Sequence, residues 1–288
     1  MADIKGLMVA TPTPFRADGS VDFDWIGRHL AFLRERGADG VVVCGTNGEG
    51  QSMSLEERKA VFEVVAASRG SLSFVAGTGC AALPETIELT QAARRARADA
   101  VMIIPPFLFK RVSADGLYNY YASILRAVDI PVFLYNIPQV SAIEISDGLV
   151  ERLLEFPNLI GIKDSAGDAD RTRRYCENFP TLDVFYGDDA LIRPLSDVAK
   201  GGISGIANCL PELVSEAMRA CAAGDGAAEQ ERVNTVARIF ERYPVFAANK
   251  VVLSLRGFEL THVRPPLVDL SDEQRSSLER DLRSEGLL

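Results

Sequence analysis

The chain has 288 residues, of which 47% are hydrophobic and 25% charged, as in globular proteins large enough to bury a core without disulfides. Its net charge of −9 argues against nucleic acid or an anionic membrane surface as a partner, although a local pocket can still hold a small anion. Only six of the 31 basic residues are lysines, so each lysine can be considered individually.

Short apolar runs alternate with helical patterns over the first three quarters of the chain. The eight runs cover residues 6–15, 40–46, 73–79, 100–106, 131–137, 159–165, 183–189 and 202–208. Each is followed by a helical pattern, and the pattern after the second run opens with a predicted capping box formed by Ser54 and Glu57. The runs are apolar on both faces, as expected of parallel strands that helices cover.

Eight βα units in this length predict a (β/α)8 TIM barrel, an α/β fold. A doubly wound open sheet is the alternative, but no GxGxxG follows the first run and the number of units suits closure. Three more helical patterns follow, at residues 227–243, 247–256 and 271–284. We therefore expect a catalytic barrel over residues 1–223 and a C-terminal helical extension, residues 224–288, packed on it.

The cysteines, the histidines and the distribution of apolar residues indicate the cellular compartment of the protein and whether it binds a metal. The five cysteines are widely spaced without a CxxC pair, and the two histidines have no ligand-like spacing, so we predict no metal site. The first 15 residues lack the basic start and apolar core of a signal peptide. No apolar run approaches the roughly 20 residues of a membrane span. These features predict a cytoplasmic protein with no membrane partner.

Lys163 is the lysine with the most informative position. It ends the apolar run that begins at Leu159, at the carboxyl end of a predicted strand, where barrels of this kind place their functional groups. Strand alternation puts it on one face with Gly161, which would leave space beside the amine. Desolvation favours a neutral amine, which can condense with a ketone to form a Schiff base. The alternative is a lysine paired with Asp164 or directed to solvent.

Two further features accompany this lysine. Tyr135 ends the neighbouring predicted strand, where its phenol could transfer protons to and from an imine, or simply cap the core. The turn GTNGEG, residues 45–50, offers backbone N–H groups, including that of Gly48, and the side chains of Thr46 and Asn47 as donors for a carboxylate. The alternative is an ordinary turn whose glycines adopt positive φ.

Taken together, the motifs resemble the dihydrodipicolinate synthase and N-acetylneuraminate lyase family. The motifs that carry the resemblance are GTNGEG (45–50), AGTG (76–79), PPFLFK (105–110), YNIP (135–138), GIKDS (161–165), GDD (187–189) and GISGIAN (202–208). The resemblance covers essentially the whole chain. It implies a class I, pyruvate-handling aldolase or lyase on a (β/α)8 barrel, needing no cofactor or metal, and commonly a homotetramer built as a dimer of dimers.

The resemblance also implies roles for individual residues. Lys163 would be the Schiff-base lysine, Tyr135 the proton-transferring phenol, and Thr46 a hydroxyl linked to that phenol. Asn47 and the backbone near Ile203 would hold the carboxylate of a 2-oxo acid.

Three departures from the synthase pattern concern substrate choice. The pair Thr46-Asn47 replaces two threonines and is more like the 4-hydroxy-2-oxoglutarate aldolase branch, as is the step from Gly79 to Cys80. Val140, which we expect among the substrate-binding residues, stands where the synthase has an arginine that holds a carboxylate of its aldehyde partner. Leu108 lies in a loop that in many members carries a tyrosine of a proton relay.

The predicted function is a Schiff-base lyase or aldolase acting on a small 2-oxo acid, with 4-hydroxy-2-oxo acids or 2-keto-3-deoxy sugar acids as substrates. Dihydrodipicolinate synthase proper and a keto-deoxy sugar acid dehydratase are alternatives within the same chemistry. A non-catalytic keto-acid sensor is the alternative of another class, favoured by the departures at Leu108 and Val140 and disfavoured by Lys163 and Tyr135.

Overall fold

A computed structural model describes residues 3–288 and contains eight parallel strands that close into a barrel in sequence order. The strands are β1 (Gly6–Ala10), β2 (Gly40–Val43), β3 (Ser73–Gly77), β4 (Ala100–Ile103), β5 (Val132–Asn136), β6 (Leu159–Asp164), β7 (Asp183–Tyr186) and β8 (Gly201–Ser204). The barrel closes because β8 pairs with β1, with Gly6 opposite Gly201. The predicted (β/α)8 barrel is therefore confirmed, and the open sheet is excluded.

The strands are buried on both faces, and alternation divides their side chains between two cores. Met8, Val42, Met102 and Phe133 point into the barrel, where they belong to one apolar cluster. The residues between them, such as Val9, face outward and pack with the surrounding helices. This arrangement explains why the strands read as continuous apolar runs rather than as alternating ones.

Helices surround the barrel and follow most of the strands directly. Those up to the last strand–helix unit are α1 (Phe23–Glu35), α2 (Leu55–Ser68), α3 (Leu83–Arg95), α4 (Ala114–Ala127), α5 (Pro138–Ser141), α6 (Asp147–Leu153), α7 (Ala169–Asn178) and α8 (Pro211–Ala222). The capping box predicted for α2 is present, with the side chains of Ser54 and Glu57 each bonded to the backbone N–H of the other residue. The short α5 was not predicted, and it begins at the proline of the YNIP motif.

The helical pattern predicted after the seventh strand is wrong. A single 3₁₀ turn, Asp189–Leu191, is followed by turns up to β8. Pro194 lacks an N–H and disfavours the helical conformation of the residue before it, which accounts for the interruption. The side chain of Gln230 bonds to backbone groups that a helix would otherwise have paired. Its Oε1 accepts the N–H of Arg193 (2.8 Å), and its Nε2 donates to the carbonyl of Asp189 (3.0 Å).

The C-terminal segment forms three helices, α9 (Ala227–Phe240), α10 (Val245–Leu255) and α11 (Asp272–Ser284). Each buries an apolar stripe that includes Val236, Val252 and Leu278, none of which is exposed. The division of the chain at residue 223 stays a prediction. Within the described part of the chain, every helix is too short or too polar to span a bilayer.

Candidate active site

The carboxyl ends of β5 and β6 bring two of the predicted residues together. Tyr135 and Lys163 are directly opposite each other in the parallel register of these strands, and both side chains point into the barrel. Each is only 5% exposed. Since adjacent strands lie about 4.8 Å apart, this register alone places the two side chains within reach of each other.

A short chain of polar atoms links these residues to the turn after β2. The Nζ of Lys163 lies 3.5 Å from the hydroxyl oxygen of Tyr135 and 4.5 Å from the centre of its ring. The same hydroxyl lies 3.3 Å from Oγ1 of Thr46. Protons can therefore pass between the amine, the phenol and the threonine hydroxyl with only small movements.

Lys163 is not neutralised by the acidic residue that follows it. Asp164 points to the outer face of β6, where it accepts hydrogen bonds from Asn136 (2.7 Å) and Thr172 (2.8 Å). Among residues 3–288, the Tyr135 hydroxyl is the hydrogen-bond partner of Nζ of Lys163, and no carboxylate oxygen lies within 4.0 Å of it. The alternative in which Asp164 pairs with Lys163 is therefore wrong.

The space around the amine comes from a different glycine than expected. Gly161 shares the inner face with Lys163, but the ring of Phe133 occupies the space above it, and a Cβ there would collide with that ring. Gly187, at the end of β7, provides the room instead, since a Cβ at this position would stand 2.7 Å from Cε of Lys163. The expectation for Gly161 was wrong because strand alternation gives the face of a side chain but not whether the residue opposite it on the neighbouring strand, here Phe133, fills the space.

The turn GTNGEG is shaped by close approach rather than by glycines of positive φ. The left-handed residues are Cys44 (φ 54°), just before the turn, and Glu49 (φ 50°), inside it. A Cβ at Gly48 would stand 2.9 Å from the backbone nitrogen of Cys44 and 3.1 Å from the carbonyl oxygen of Thr11. Gly48 is thus needed for packing behind the turn, and the alternative of an ordinary turn whose glycines adopt positive φ is wrong.

Asn47 extends from this turn towards the last strand of the barrel. A Cβ at Gly205, just after β8, would stand 2.8 Å from Nδ2 of Asn47, so this glycine makes room for the amide. Ile203 of β8 lines the same region. Thr46, Asn47 and Ile203 therefore line the same cavity as Lys163.

These side chains line a cavity of about 520 Å³ at the carboxyl end of the barrel. Its polar and charged lining residues are Thr46, Asn47, Tyr135, Gln139, Lys163, Ser165, Asp188, Asp189, Glu241, Tyr243 and Asn249. Gly48 and Val140, which the sequence also suggested, do not line it. Val140 is 47% exposed and lines a neighbouring cavity of about 150 Å³, which shares Thr46 and Tyr135 with the larger one.

The side of the cavity beyond Lys163 carries polar groups of its own. Oγ of Ser165 is buried and has no hydrogen-bond partner. Burial raises the pKa of the Asp189 carboxyl to about 6, and hydrogen bonds from Ser204 and the N–H of Ile206 oppose the shift. Over residues 3–288, no three His, Cys, Asp or Glu side chains are grouped so that they could hold a metal ion.

The C-terminal extension contributes more to the cavity than the sequence indicated. The end of α9, the start of α10 and the corner between them supply lining residues: Ala237, Phe240, Glu241, Tyr243, Val245, Phe246 and Asn249. No motif marked these residues, because a helix corner at a cavity has the same pattern as one on the surface. Gly187 could have been noticed in the GDD motif, where a glycine ends a strand.

Comparison with known proteins identifies the family of the chain. A sequence model of the dihydrodipicolinate synthetase family matches residues 3–285. The chain is 37% identical over 286 residues to an uncharacterized DapA-like lyase of Chloroflexus aurantiacus, covering 96% of both chains. It is 35% identical to a 4-hydroxy-tetrahydrodipicolinate synthase of Alcanivorax borkumensis, covering 99% of both chains.

Solved structures show the same relationship. The prophage protein YagE of E. coli K12, solved in complex with pyruvate, is 27% identical with a TM-score of 0.94, and the match covers 100% of both chains. Dihydrodipicolinate synthase of Aquifex aeolicus is 29% identical with a TM-score of 0.92, over 99% of both chains. This chain therefore belongs to the dihydrodipicolinate synthetase family and is a lyase of the class I, pyruvate-dependent aldolase type.

Proposed function

We propose that the protein cleaves or forms the C3–C4 bond of a hydroxylated 2-oxo acid through a Schiff base on Lys163. The observation that carries this proposal is the buried Nζ of Lys163, 3.5 Å from the Tyr135 hydroxyl and without a carboxylate partner. Because no carboxylate is paired with it, this amine is free to attack the carbonyl carbon of a bound ketone.

The substrate carboxylate binds at the Thr46-Asn47 side of the cavity. Asn47 and Ile203 line this side, and the backbone of Gly205 lies close to the Asn47 amide. A carboxylate held here leaves C2 of the oxo acid facing Lys163. Binding of this kind fixes the ketone for attack and orients its C3–C4 bond.

The reaction begins when neutral Lys163 attacks C2, and the carbinolamine loses water as Tyr135 supplies a proton to the leaving hydroxyl. Tyr135 then removes the proton of the C4 hydroxyl, the C3–C4 electrons move into the iminium, and an aldehyde leaves. The resulting enamine takes a proton at C3, and hydrolysis releases the oxo acid and the free amine. Lysine itself is the electron sink, so the scheme needs no cofactor.

The substrate class follows from the groups beyond Lys163. The Ser165 hydroxyl is buried without a partner, and Gln139, Asp188 and Asp189 line the same region. An unpaired buried hydroxyl is costly, and a hydroxyl of the substrate would satisfy it. Val140 offers no charge for a carboxylate of an aldehyde partner. These observations favour 4-hydroxy-2-oxo acids or 2-keto-3-deoxy sugar acids over the substrates of dihydrodipicolinate synthase proper.

Reductive trapping tests the Schiff base. Pyruvate and sodium cyanoborohydride should leave a stable adduct on the peptide that contains Lys163 and none on the peptide of Lys250, another buried lysine. Lys163→Met is the matched control and should take up no label. Absence of an adduct on Lys163, while a known class I aldolase is trapped in parallel, overturns the proposal.

A substrate panel separates the alternatives. Release of pyruvate from hydroxylated oxo acids supports the aldolase, and loss of water without an aldehyde product supports the dehydratase. Condensation of pyruvate with aspartate semialdehyde supports the synthase. Trapping without turnover of any of these compounds supports the keto-acid sensor.

An exposed apolar loop bears on the assembly of the protein. Leu108 and Phe109 are each 65% exposed in the loop after β4, and a second copy of the chain could cover them. We propose a cytoplasmic homotetramer with a small 2-oxo acid as its ligand and no nucleic-acid partner. Analytical ultracentrifugation measures the assembly directly, and a monomer at micromolar concentration contradicts it.

A further inference from the structure

A fully buried ion pair joins the C-terminal extension to the GTNGEG turn. Oε1 of Glu49 lies 2.5 Å from Nζ of Lys250 in α10, and the two side chains are 0% and 1% exposed. Nζ of Lys250 also donates to the carbonyl of His262 (2.5 Å) and lies 4.7 Å from the ring centre of Phe15. Burial of two charges is costly, so their placement in the barrel wall calls for an explanation beyond stability.

The second carboxylate oxygen of Glu49 makes another contact with the extension. Oε2 accepts the backbone N–H of Arg264 (3.0 Å). The Arg264 side chain in turn donates to the carbonyl of Ser52 (2.8 Å) and pairs with Glu57 in α2. Glu49, Ser52 and Glu57, which follow Asn47, therefore all bond to residues of the C-terminal extension. Their partners there are Lys250 and Arg264.

Glu49 adopts a left-handed conformation, φ 50°, which is unfavourable for a residue with a side chain. Its N–H donates to the carbonyl of Thr46 (3.0 Å), so its conformation closes the turn that carries Thr46 and Asn47. On the other side of the turn, Oγ1 of Thr13 donates to the carbonyl of Gly48 (2.6 Å). An unfavourable backbone conformation persists only where surrounding contacts hold it in place. The contacts of the Glu49 carboxylate with Lys250 and Arg264 hold this one.

We propose that Glu49 and Lys250 are positioning residues for substrate binding: their ion pair holds the turn in the shape in which Asn47 meets the substrate carboxylate. This inference rests on the carboxylate site proposed above. It makes α10 part of substrate recognition, although Lys250 does not line the cavity. The pair makes no hydrogen bond with Lys163 on β6 or Tyr135 on β5, and the turn reaches them through the 3.3 Å contact between Thr46 and the Tyr135 hydroxyl, so we expect the chemistry to be affected less than the affinity.

The test is the kinetics of pyruvate trapping in Glu49→Gln, in Lys250→Met and in the double variant. Each single change leaves one buried group without its partner, whereas the double change removes both charges. We expect the single variants to unfold at lower urea concentration and the double variant to recover much of this loss. The pyruvate concentration for half-maximal trapping should rise about tenfold in all three, with the maximal trapping rate within about threefold of the wild type.

The double variant separates positioning from stability. If it regains stability and the wild-type half-saturation concentration together, the pair is only structural and the inference is wrong. Unchanged half-saturation in Glu49→Gln, which keeps the size of the side chain, also overturns it and does not depend on the double variant folding. Wild-type protein that is not trapped at all contradicts the proposed function instead, so the two failures are distinguishable.

Glu212→Gln is the matched control. Oε1 of Glu212 pairs with Nη2 of Arg256 at 2.5 Å, at the end of the same helix as Lys250 but away from the turn. Half-saturation by pyruvate should be unchanged in this variant. An increase equal to that of the Glu49 variants would mean that any disturbance of α10 weakens binding, and it would overturn the specific role of the pair.

Discussion

Gly187 lies against the side chain of Lys163 so closely that an added Cβ would stand 2.7 Å from the lysine Cε. The same Cβ would collide with Oγ of Ser165, the buried hydroxyl without a partner. The end of β7 therefore sets the position of two cavity groups that belong to β6 and to the loop after it. Because Gly187 has no Cβ, it leaves the space that the Lys163 and Ser165 side chains occupy.

Gly187→Ala should consequently impair the chemistry more than the fold. The methyl group must displace the Lys163 chain or the Ser165 hydroxyl, and we expect kcat to fall about tenfold or more because small misplacements of a nucleophile are costly. Gly148→Ala, near the start of α6, is the control, since nothing lies within 4 Å of a Cβ at that position. Equal kcat in the two variants would mean that the space beside Lys163 is not needed.

Tyr135→Phe should separate imine formation from turnover. The variant keeps the ring beside the Lys163 amine but removes the hydroxyl that lies 3.5 Å from Nζ and 3.3 Å from Thr46. Loss of a proton-transfer group typically lowers kcat by about 100-fold or more, while slow trapping of pyruvate should persist. Steady-state turnover and adduct mass measure the two effects, and unchanged turnover removes Tyr135 from the mechanism.

Asp164→Ala should destabilise the barrel beside the site. The Asp164 carboxylate is fully buried and accepts hydrogen bonds from Asn136, Thr172 and the N–H of Ala166, so its loss leaves buried donors without a partner. We expect the free energy of unfolding in urea to fall by about 3 kcal/mol.

The control for this change is Asp115→Ala, which removes an exposed carboxylate paired with Arg152. Exposed pairs contribute little, so its effect should stay below about 1 kcal/mol. Similar losses in the two variants would contradict the special contribution of the buried network.

Asp189→Asn should gain stability relative to the wild type as the pH rises from about 4 to about 6. Burial raises the pKa of this carboxyl from 3.8 to about 6, so between these values the folded chain binds more protons than the unfolded chain. Raising the pH through this range therefore weakens the wild type, and the effect is constant above it. Urea midpoints of both proteins measured from pH 4 to pH 8 test this, and a difference of opposite slope would show that hydrogen bonding outweighs burial.

The local sequence pattern predicted most of the fold because the barrel repeats one unit, an apolar strand followed by a helix. Apolar runs gave all eight strands, and Ser54 and Glu57 gave the start of α2. The segment after β7 was misread since its apolar spacing suits a helix, while Pro194 and the side chain of Gln230 from a distant helix decide its actual path. Local periodicity contains no information about such a partner.

The sequence likewise predicted one part of the candidate site and missed another. The proximity of Lys163 and Tyr135 follows from their places at the ends of neighbouring strands, which the sequence order supplies. The room made by Gly187 and the ion pair between Glu49 and Lys250 depend on how separate elements meet in space, and no spacing along the chain encodes these distances.

The corner between α9 and α10 forms one wall of the cavity, although its residues lie more than 70 positions after Lys163. The proposed reacting groups and this wall of the cavity thus come from separate stretches of the chain. On the proposed function, exchange of residues 237–249 between homologues would change which aldehyde is accepted and leave Lys163 and Tyr135 in place. We therefore expect the substrate range of this barrel to be set partly by a segment that carries none of the proposed reacting groups.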